Sequence, residues 1–402
     1  MKVLQINAVY GVGSTGVIVR DIHEMCMKKG IESYVAYSTS NVSLEEIKNG
    51  YQIGNALDKK LHAILCRING KQAYFSRGST KKLIKHIKEI RPDVVHLHNL
   101  HSNYINLNML LDFLGKEGIA VVITLHDCWF FTGGCFHYTS VGCDRWKKEC
   151  GNCPKKKKDT PAYFLDKSAR ILADRKKHLG SIKKLTVVGV SKWITNEAKS
   201  TFLGEKECIT ISNGVDTDFF NPCASDIRRE LGIEDKFVIM AIANKWLLPI
   251  NRETLKIVSE GIDADSVIVM IGCSDADKDR LPANVIPLSF VRDRDRMRII
   301  YSMADVFVNC TREESFSLVN VEAQACGTPT ITYNNTGACE TVDGVCGFAV
   351  ETGNANALVE AIKLVKSDTT GELSTRCREH MRKHMDKNKN YLKYIELYER
   401  LG

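Results

Sequence analysis

The chain has 402 residues, of which 44% are hydrophobic and 26% charged, and its net charge is +8. This composition is ordinary for a folded soluble protein, and the length exceeds one comfortable core, so we expect two domains. No apolar run approaches the ~18–20 residues of a membrane-spanning helix, and the apolar stretch at the start is too short for a secretory signal. A cytoplasmic protein is therefore expected, and a membrane-spanning one is excluded.

Short apolar strands alternate with helices through the first half of the chain. The strand segments are KVLQINA, SYVAYS, DVVHLHN, AVVITLHD and KLTVVGVS. Helices are predicted at Gly16–Lys29, Lys81–Ile90 and near Leu107–Leu114, and a turn-rich stretch follows at Ile211–Pro222. Strands that are almost wholly apolar are typical of a parallel sheet covered by helices on both faces.

The alternation restarts after the turn-rich stretch, with the strands FVIMAIAN, SVIVMIG, VFVNC and TPTITY. The predicted fold class is α/β, with two Rossmann-like doubly wound domains that bind ligands at the carboxyl ends of their strands. The predicted boundaries are residues 1–212 for the first domain with a cysteine-rich insertion at 128–160, 213–222 for a linker, 223–387 for the second domain, and 388–402 for a terminal helix.

Two lysine-rich runs account for part of the positive charge. Lys155–Lys158 form an unbroken tetralysine, and Lys81, Lys82, Lys85 and Lys88 recur on one helical face. Taken singly, each run is typical of a solvated surface. Together they also suit contact with an anionic membrane surface or a pyrophosphate-linked lipid acceptor.

A glycine loop follows the first strand. Gly11, Gly13 and Gly16 fit the pattern G-x-G-x-x-G, which indicates a dinucleotide such as NAD when an acidic residue ends the second strand. Here the second strand ends Ser38-Thr39, without an acid, so an NAD-dependent oxidoreductase is disfavoured. The loop still suits an anion or a close approach of the backbone to a ligand. Our candidate binding residues are Gly13, Ser14, Thr15 and Gly16.

The segment Thr311–Pro329, TREESFSLVNVEAQACGTP, places Glu314 and Glu322 eight positions apart around a predicted helix start. The first-turn amides of such a helix bind a phosphate readily; they belong to Ser317, Leu318 and Val319. The two carboxylates can then accept hydroxyls on opposite sides of a bound phosphate. This pattern suits a nucleotide-diphosphate sugar.

The same segment resembles the E-x7-E signature of retaining glycosyltransferases of family 4, which have the two-domain GT-B fold. The family pattern is E-x-F-G-L-x-x-x-E-A-x-A-x-G-x-P, with Ser317 here in place of the glycine. The matching residues are Glu314, Phe316, Leu318, Glu322, Ala323, Ala325, Gly327 and Pro329.

The resemblance implies two Rossmann-like domains facing a cleft and a terminal helix that packs back on the first domain. It implies a retaining hexosyltransferase that uses a nucleotide-diphosphate sugar. The acceptor would be a glycan or a lipid-linked oligosaccharide in surface-polysaccharide assembly (capsule, O-antigen or exopolysaccharide), with possible contact at the inner membrane. No Asp-x-Asp motif stands where a donor would need it, so catalysis should not require a metal.

Residue roles follow from the same resemblance. Glu314 and His126 would orient the donor sugar, Glu322 would bind the ribose, and Val291 would lie by the base. Most family members carry a Gly-Arg pair after the second domain's first strand and a lysine five residues later. Lys245 occupies the arginine's place as a point charge. Ile250 occupies the lysine's place, and Arg252 is the nearest candidate substitute.

Four of the fifteen cysteines lie within nineteen positions of one loop: Cys135, Cys143, Cys150 and Cys153. In a reducing compartment this density indicates a closed structural zinc site, with an iron–sulfur cluster, disulfides or free thiols as alternatives. Together with the tetralysine and Trp146, the cysteines also suggest a zinc knuckle that binds nucleic acid. This interpretation is disfavoured because the loop is one short insertion in the chain. A nucleotide-sugar epimerase of the same architecture is the closer rival, and no nucleic-acid partner is expected.

Overall fold

The computed structural model describes residues 1–159, 161–342 and 344–402. Thr160, the last residue of the predicted cysteine-rich insertion, is outside the described residues. The chain divides into two compact units, which are Met1–Ser212 with Tyr391–Gly402, and Asn213–Asn390.

The first unit is built on a seven-stranded parallel sheet of order β3-β2-β1-β4-β5-β6-β7. Its strands are β1 (Lys2–Tyr10), β2 (Glu32–Ser40), β3 (Gly50–Gln52), β4 (Val94–Leu97), β5 (Ala120–Leu125), β6 (Leu185–Gly189) and β7 (Glu207–Thr210). Its helices are α1 (Gly13–Lys28), α2 (Ala56–Asn69), α3 (Arg77–Ile90), α4 (Leu107–Glu117), α5 (Ser168–Gly180) and α6 (Lys192–Lys199). Every residue of β4, β5 and β6 is buried, which is the continuous apolar pattern of a sheet covered on both faces.

The second unit has a six-stranded parallel sheet of order β10-β9-β8-β11-β12-β13. Its strands are β8 (Phe237–Ile242), β9 (Ser266–Ile271), β10 (Val285–Leu288), β11 (Val306–Asn309), β12 (Thr330–Tyr333) and β13 (Gly347–Val350). Its helices are α7 (Ile227–Glu230), α8 (Ala243–Trp246), α9 (Arg252–Gly261), α10 (Asp275–Lys278), α11 (Arg294–Met303), α12 (Leu318–Ala325), α13 (Ala355–Lys366) and α14 (Glu372–His380). This strand order is that of a Rossmann fold.

The last helix, α15 (Lys387–Leu401), follows a π-helical turn at Met381–Met385. From Tyr391 onward its residues belong to the first unit. The hydroxyl of Tyr394 lies 3.1 Å from that of Thr124 on β5, and the Tyr398 hydroxyl bonds to the ring of His96 on β4. No helix among the described residues has both the length and the apolar character needed to cross a bilayer.

Several elements differ from those predicted. Helix α1 begins at Gly13, not Gly16, because the positive φ of Gly11 completes the turn and the Gly11 amide bonds to the carbonyl of Gly16. Helix α3 begins at Arg77, four residues before the predicted start. Helix α2 and strands β3, β7, β10 and β13 are among the elements that were not predicted. The strands among them are three or four residues long, too short to show a period.

Candidate active site

A cavity of about 400 Å³ opens at the carboxyl ends of three strands in the second unit. Ile242 ends β8, Ile271 ends β9 and Asn309 ends β11, and all three line it. The sheet order reverses between β8 and β11, and ligands of doubly wound sheets bind at this reversal. The other lining residues are Asn244, Lys245, Gly272, Phe290, Val291, Met297, Tyr301, Glu314, Val319 and Glu322.

The start of α12 is fixed against the end of β11. The side-chain amide of Asn309 donates to the hydroxyl of Ser317, at 3.1 Å, and to the side-chain oxygen of Asn320, at 2.8 Å. Ser317 is the residue before the first helical turn and is 1% exposed. Since the first amides of a helix have no partner within it, those of Leu318 and Val319 suit an anion. Val319 lines the cavity, whereas Ser317 supports the helix start from beneath.

Glu314 and Lys245 form an ion pair inside the cavity. The Lys245 ammonium lies 2.9 Å from Oε1 of Glu314. Oε2 of the same carboxylate is buried and has no hydrogen-bond partner. The loop carrying Glu314 is held on both sides, because its amide bonds to the hydroxyl of Thr336 and its carbonyl accepts from the amide of Gly337. The site therefore presents a cation and an unsatisfied carboxylate oxygen, which suit a phosphate and a hydroxyl.

The carboxyl of Glu322 is a weaker acid than usual in the folded protein. It is a partly exposed residue of α12, and burial of its carboxyl raises the pKa from 4.5 to about 7. The Tyr301 hydroxyl, which donates to Oε2 at 3.0 Å, and the nearby charge of Arg294 oppose this rise. A buried carboxylate with one donor retains capacity for further donors, such as ribose hydroxyls.

The remaining second-unit candidates divide into two groups. Val291 and its neighbour Phe290 line the cavity, and the Phe290 ring is 74% exposed. Arg252 lies elsewhere, because α9 begins at this residue and turns it toward a separate cavity of about 680 Å³ that it lines with Lys256 and Arg280. Lys245 is the only cation among the described residues that line the 400 Å³ cavity.

The glycine-loop candidates lie at the carboxyl end of β1, where α1 begins. Gly13 and Ser14 are exposed, and Thr15 is half-buried. Gly16 is buried, and a Cβ there would lie 3.1 Å from Val9 and 3.2 Å from the amide nitrogen of Gly11. Gly16 therefore allows close packing of helix on strand, whereas the first-turn amides of α1 are open to a ligand.

His126 follows β5 and belongs to a chain of hydrogen bonds. Its Nε2 lies 3.1 Å from Nδ1 of His98, whose Nε2 lies 3.1 Å from Oε1 of Gln5. The Gln5 amide orientation is set by its own NH2, which donates to the carbonyl of Val19 at 3.2 Å. His96 and His98 are fully buried, so they belong to the interior of this unit.

This series of hydrogen bonds determines the tautomer of His126. Since Oε1 of Gln5 can only accept, Nε2 of His98 carries the proton and its Nδ1 accepts. Nε2 of His126 is then the donor, and its Nδ1 retains a lone pair. Burial lowers the pKa of His126 to about 4, so the ring is neutral near pH 7. His126 is therefore arranged to accept a hydroxyl hydrogen through Nδ1.

The cysteine-rich loop brings its four predicted ligands together. Cys135, Cys143, Cys150 and Cys153 all line one cavity of about 20 Å³, room for about one water-sized sphere. None of these four cysteines forms a disulfide. Among the described residues, no group of three or more His, Cys, Asp or Glu side chains is arranged so that it could hold a metal ion.

A buried cation lies beside these thiols. Arg175 is 2% exposed, donates through Nη1 to the carbonyls of Trp129 and Thr132, and stacks on the Trp129 ring at 3.8 Å. Its Nε and Nη2 are buried without hydrogen-bond partners, and its charge interacts with Tyr74, Cys135, Cys150 and Asp127. A buried guanidinium is stabilised by nearby negative charge, which Asp127 supplies and which four metal-bound thiolates would increase. The four thiols are the donor types of a structural zinc site, although their present arrangement is not that of a bound ion.

Two expectations for this loop are corrected by the structure. Lys155 of the tetralysine is 6% exposed and donates to the carbonyl of His137 at 2.7 Å, so it is not a solvated surface residue. Trp146 is 2% exposed and packs on Phe131 and Tyr138. Its ring therefore stabilises the loop and is unavailable for stacking on a base.

Several residues of the candidate sites were not predicted from the sequence: Gln5, Asn309, Arg294 and Tyr301. Asn309 ends an apolar strand, VFVN, and a polar residue at the carboxyl end of a parallel strand is a recognisable signal. Gln5 interrupts the first apolar strand and is 0% exposed, so it also offered a signal. Arg294 and Tyr301 lie on α11, within an ordinary amphipathic pattern that gave none.

Comparison with known families places both halves of the chain. The family model described as Glycosyltransferase Family 4 matches residues 15–219, just over half of the chain. The model described as Glycosyl transferases group 1 matches residues 263–384, which include the 400 Å³ cavity's Glu314 and Glu322.

Individual relatives agree with the family models. The chain is 23% identical over 398 residues to WcaC of Escherichia coli K12, a candidate colanic acid biosynthesis glycosyl transferase, covering 94% of this chain and 95% of that protein. It is 28% identical over 208 residues to the capsular polysaccharide biosynthesis glycosyltransferase CapM of Staphylococcus aureus, covering 46% and 53%. The solved structure of Anabaena HepE in complex with UDP superposes with a TM-score of 0.67 at 16% identity, covering 100% of both chains.

Proposed function

The chain belongs to glycosyltransferase family 4, and on that premise we propose that it transfers a sugar from a nucleotide-diphosphate donor to a glycan or lipid-linked acceptor in surface-polysaccharide assembly. The two relatives above act in colanic acid and capsule biosynthesis according to their names. The observation that carries the donor assignment is the 400 Å³ cavity, where Lys245, Glu314 and Glu322 lie together with the first turn of α12.

The cavity supports one orientation of the donor. Lys245 and the first amides of α12 would bind the diphosphate, and the buried carboxylate of Glu322 would accept the ribose hydroxyls. Phe290 and Val291 would lie against the base. The unpaired Oε2 of Glu314 would accept a hydroxyl of the sugar.

The proposed reaction retains the configuration at the anomeric carbon. The acceptor hydroxyl oxygen forms a bond to this carbon on the face that the diphosphate leaves, and the carbon–oxygen bond to the diphosphate breaks. The acceptor proton passes to the departing phosphate oxygen, so no separate base is required. Lys245 and the helix start would stabilise the charge that develops on the leaving group. The anomeric proton couplings of donor and product, measured by NMR, test retention.

His126 has a separate proposed role. Its Nδ1 lone pair would accept a hydroxyl of the donor sugar, and its Nε2 proton would remain bonded to His98. Since burial holds the pKa of His126 near 4, this role does not change between pH 6 and 8. The glycine-loop amides at Gly13–Gly16 would approach the donor diphosphate or the acceptor.

A thermal-shift panel tests the donor assignment. UDP, GDP, ADP and dTDP, alone and as sugars, are compared with NAD. A ligand that binds only the folded state must raise the midpoint with concentration. A rise with one nucleotide sugar supports the proposal, and a rise with NAD alone contradicts it. Since an epimerase would also bind the donor, the product is then analysed: a new glycosidic bond supports transfer, and an epimerised free donor contradicts it.

We also propose that the four-cysteine cavity holds one structural zinc ion. The support is the convergence of Cys135, Cys143, Cys150 and Cys153 on one ion-sized cavity next to the unsatisfied Arg175 guanidinium. A closed set of four thiolates leaves no open position, so the ion would stabilise the loop and would not take part in transfer. Catalysis is proposed to need no added divalent ion.

Metal analysis of the purified protein tests the zinc site. The expected content is one zinc per chain, lost in Cys150→Ser and Cys153→Ser and retained in Cys208→Ser, a matched cysteine outside the loop. Removal of the ion should lower the unfolding midpoint by several degrees, since ordered zinc sites contribute directly to folding. Iron in place of zinc, or full metal content in Cys150→Ser, would contradict the assignment.

A further inference from the structure

Helix α2 has an apolar stripe on its solvent side. Leu57, Leu61, Ile64 and Ile68 are 50–75% exposed. At 3.6 residues per turn these four positions fall within about 60° of the helix circumference. The core-facing residues of α2, His62 and Cys66, lie on the opposite side. The helix therefore has a second apolar side that the described part of the first unit does not cover.

A neighbouring segment extends this stripe. Tyr163, Phe164 and Leu165 are 45–73% exposed. The segment crosses the carboxyl end of α2, because the Tyr163 amide donates to the carbonyl of Arg67 at 3.2 Å. The carbonyl of Leu165 also lies 2.1 Å from where a Cβ of Gly70 would stand. Seven large exposed apolar residues thus form one surface, which we name the apolar face: Leu57, Leu61, Ile64, Ile68, Tyr163, Phe164 and Leu165.

The charges that flank the apolar face are positive. Lys60 and Arg67 are exposed on α2, and the exposed Lys157 and Lys158 are joined to the segment through the bond from the Ala162 amide to the Lys156 carbonyl. No exposed acidic side chain lies on α2 or among the described residues of 155–166. Their carboxylates are partly or fully buried and hold local bonds, as Asp58 does with Ser79 and Asp166 with the amides of Cys153 and Ser168.

We propose that the apolar face docks the protein onto an anionic lipid bilayer, with the leucine, isoleucine and aromatic side chains in the interface and the flanking cations against lipid phosphates. An apolar stripe with aromatic residues and basic flanks is the pattern of helices that lie in a membrane surface. Clustering matters here, since single exposed apolar residues are common and this contiguous set is not. The inference deepens the proposed function, on which its meaning rests, because a lipid-linked acceptor is reached at such a surface.

Co-flotation of the full chain with vesicles tests the proposal without donor or acceptor. Vesicles of 30% phosphatidylglycerol in phosphatidylcholine are compared with phosphatidylcholine alone. We expect binding to the anionic vesicles, reduced roughly tenfold or more in Leu57→Gln/Leu61→Gln/Ile64→Gln. Leu364→Gln, an equally exposed leucine on α13 of the second unit, should bind as the wild type does. Lys157→Gln/Lys158→Gln should weaken binding more at low than at high salt.

Three results would overturn the inference. They are absence of vesicle binding by the wild type, equal binding by the triple variant and the wild type, and a wild-type dimer in sedimentation that the triple variant abolishes. The last result would assign the apolar face to a second copy of the chain. The donor thermal shift of the triple variant should equal that of the wild type, so failure of the membrane inference is distinguishable from failure of the donor assignment.

Discussion

Replacing Glu322 with glutamine separates the ligand role of this side chain from its cost to the fold. The native state binds the Glu322 proton more tightly than the unfolded chain does, because burial raises the pKa from 4.5 to about 7. The carboxyl costs no stability below pH 4.5, and its cost grows between pH 4.5 and 7 and is complete above. From the 4.5-to-7 shift, the cost at pH 8 is about 3 kcal/mol as an upper bound.

Donor affinity should rise with pH as the Glu322 carboxyl ionises, whereas the stability of the fold should fall. If ribose hydroxyls bind the ionised form, the dissociation constant of a nucleotide sugar rises about tenfold between pH 8 and pH 6, at about 1.4 kcal/mol per pH unit below the pKa. A nucleotide sugar is the appropriate ligand, because its diphosphate has no terminal phosphate that titrates in this range. Glu322→Gln should bind the donor weakly and without this pH dependence.

Calorimetric titration at pH 6, 7 and 8, with thermal unfolding at the same values, measures both effects. Glu322→Gln is expected to raise the unfolding midpoint at pH 8, to leave it nearly unchanged at pH 5, and to lose donor affinity. Glu372→Gln, an exposed glutamate on α14, is the control and should change neither quantity. Donor affinity that falls tenfold from pH 8 to pH 6 in Glu322→Gln, as in the wild type, would refute the reasoning. So would a midpoint lowered at pH 8.

Two further predictions concern the charge of Lys245 and the tautomer of His126. Lys245→Ala should weaken nucleoside-diphosphate binding about 10- to 100-fold, the value of a charged hydrogen bond, and should leave binding of the nucleoside without phosphates unchanged in the same titration; equal losses for both ligands would contradict a phosphate contact. In Gln5→Leu the nitrogen-15 spectrum of His126 should show mixed tautomers and kcat should fall, whereas Gln5→Glu should keep the Nε2–H form because a carboxylate also accepts from His98. An unchanged spectrum in Gln5→Leu would contradict the hydrogen-bond chain.

The sequence predicted those parts of the site that lie within one short segment. Glu314, Glu322 and the start of α12 were predictable, because a strand end, a loop and a helix start follow one another within nineteen residues. The central strands of both sheets were predictable for a similar reason, since buried parallel strands are continuous apolar runs, whereas the short strands β3, β7, β10 and β13 were not. The family match confirms the glycosyltransferase assignment, whereas the residue roles stay predictions.

Contacts between distant segments could not be predicted from the sequence. The hydrogen bond from Tyr301 to Glu322 depends on how α11 packs on α12. No local sequence pattern encodes that packing. Arg252 was the candidate substitute for the family lysine, whose place Ile250 occupies, but the turn of the chain into α9 directs it to a different cavity. Lys155 was grouped with its lysine neighbours, but the fold of the insertion buries it against the carbonyl of His137.

The most direct test of the central claim is release of nucleoside diphosphate from the donor that the panel identifies, compared between the wild type and Glu314→Ala. The account predicts turnover by the wild type and loss of turnover in Glu314→Ala, with circular dichroism and a cooperative unfolding transition showing that the variant is folded. Near-normal turnover by a folded Glu314→Ala would contradict the assignment of the 400 Å³ cavity as the donor site.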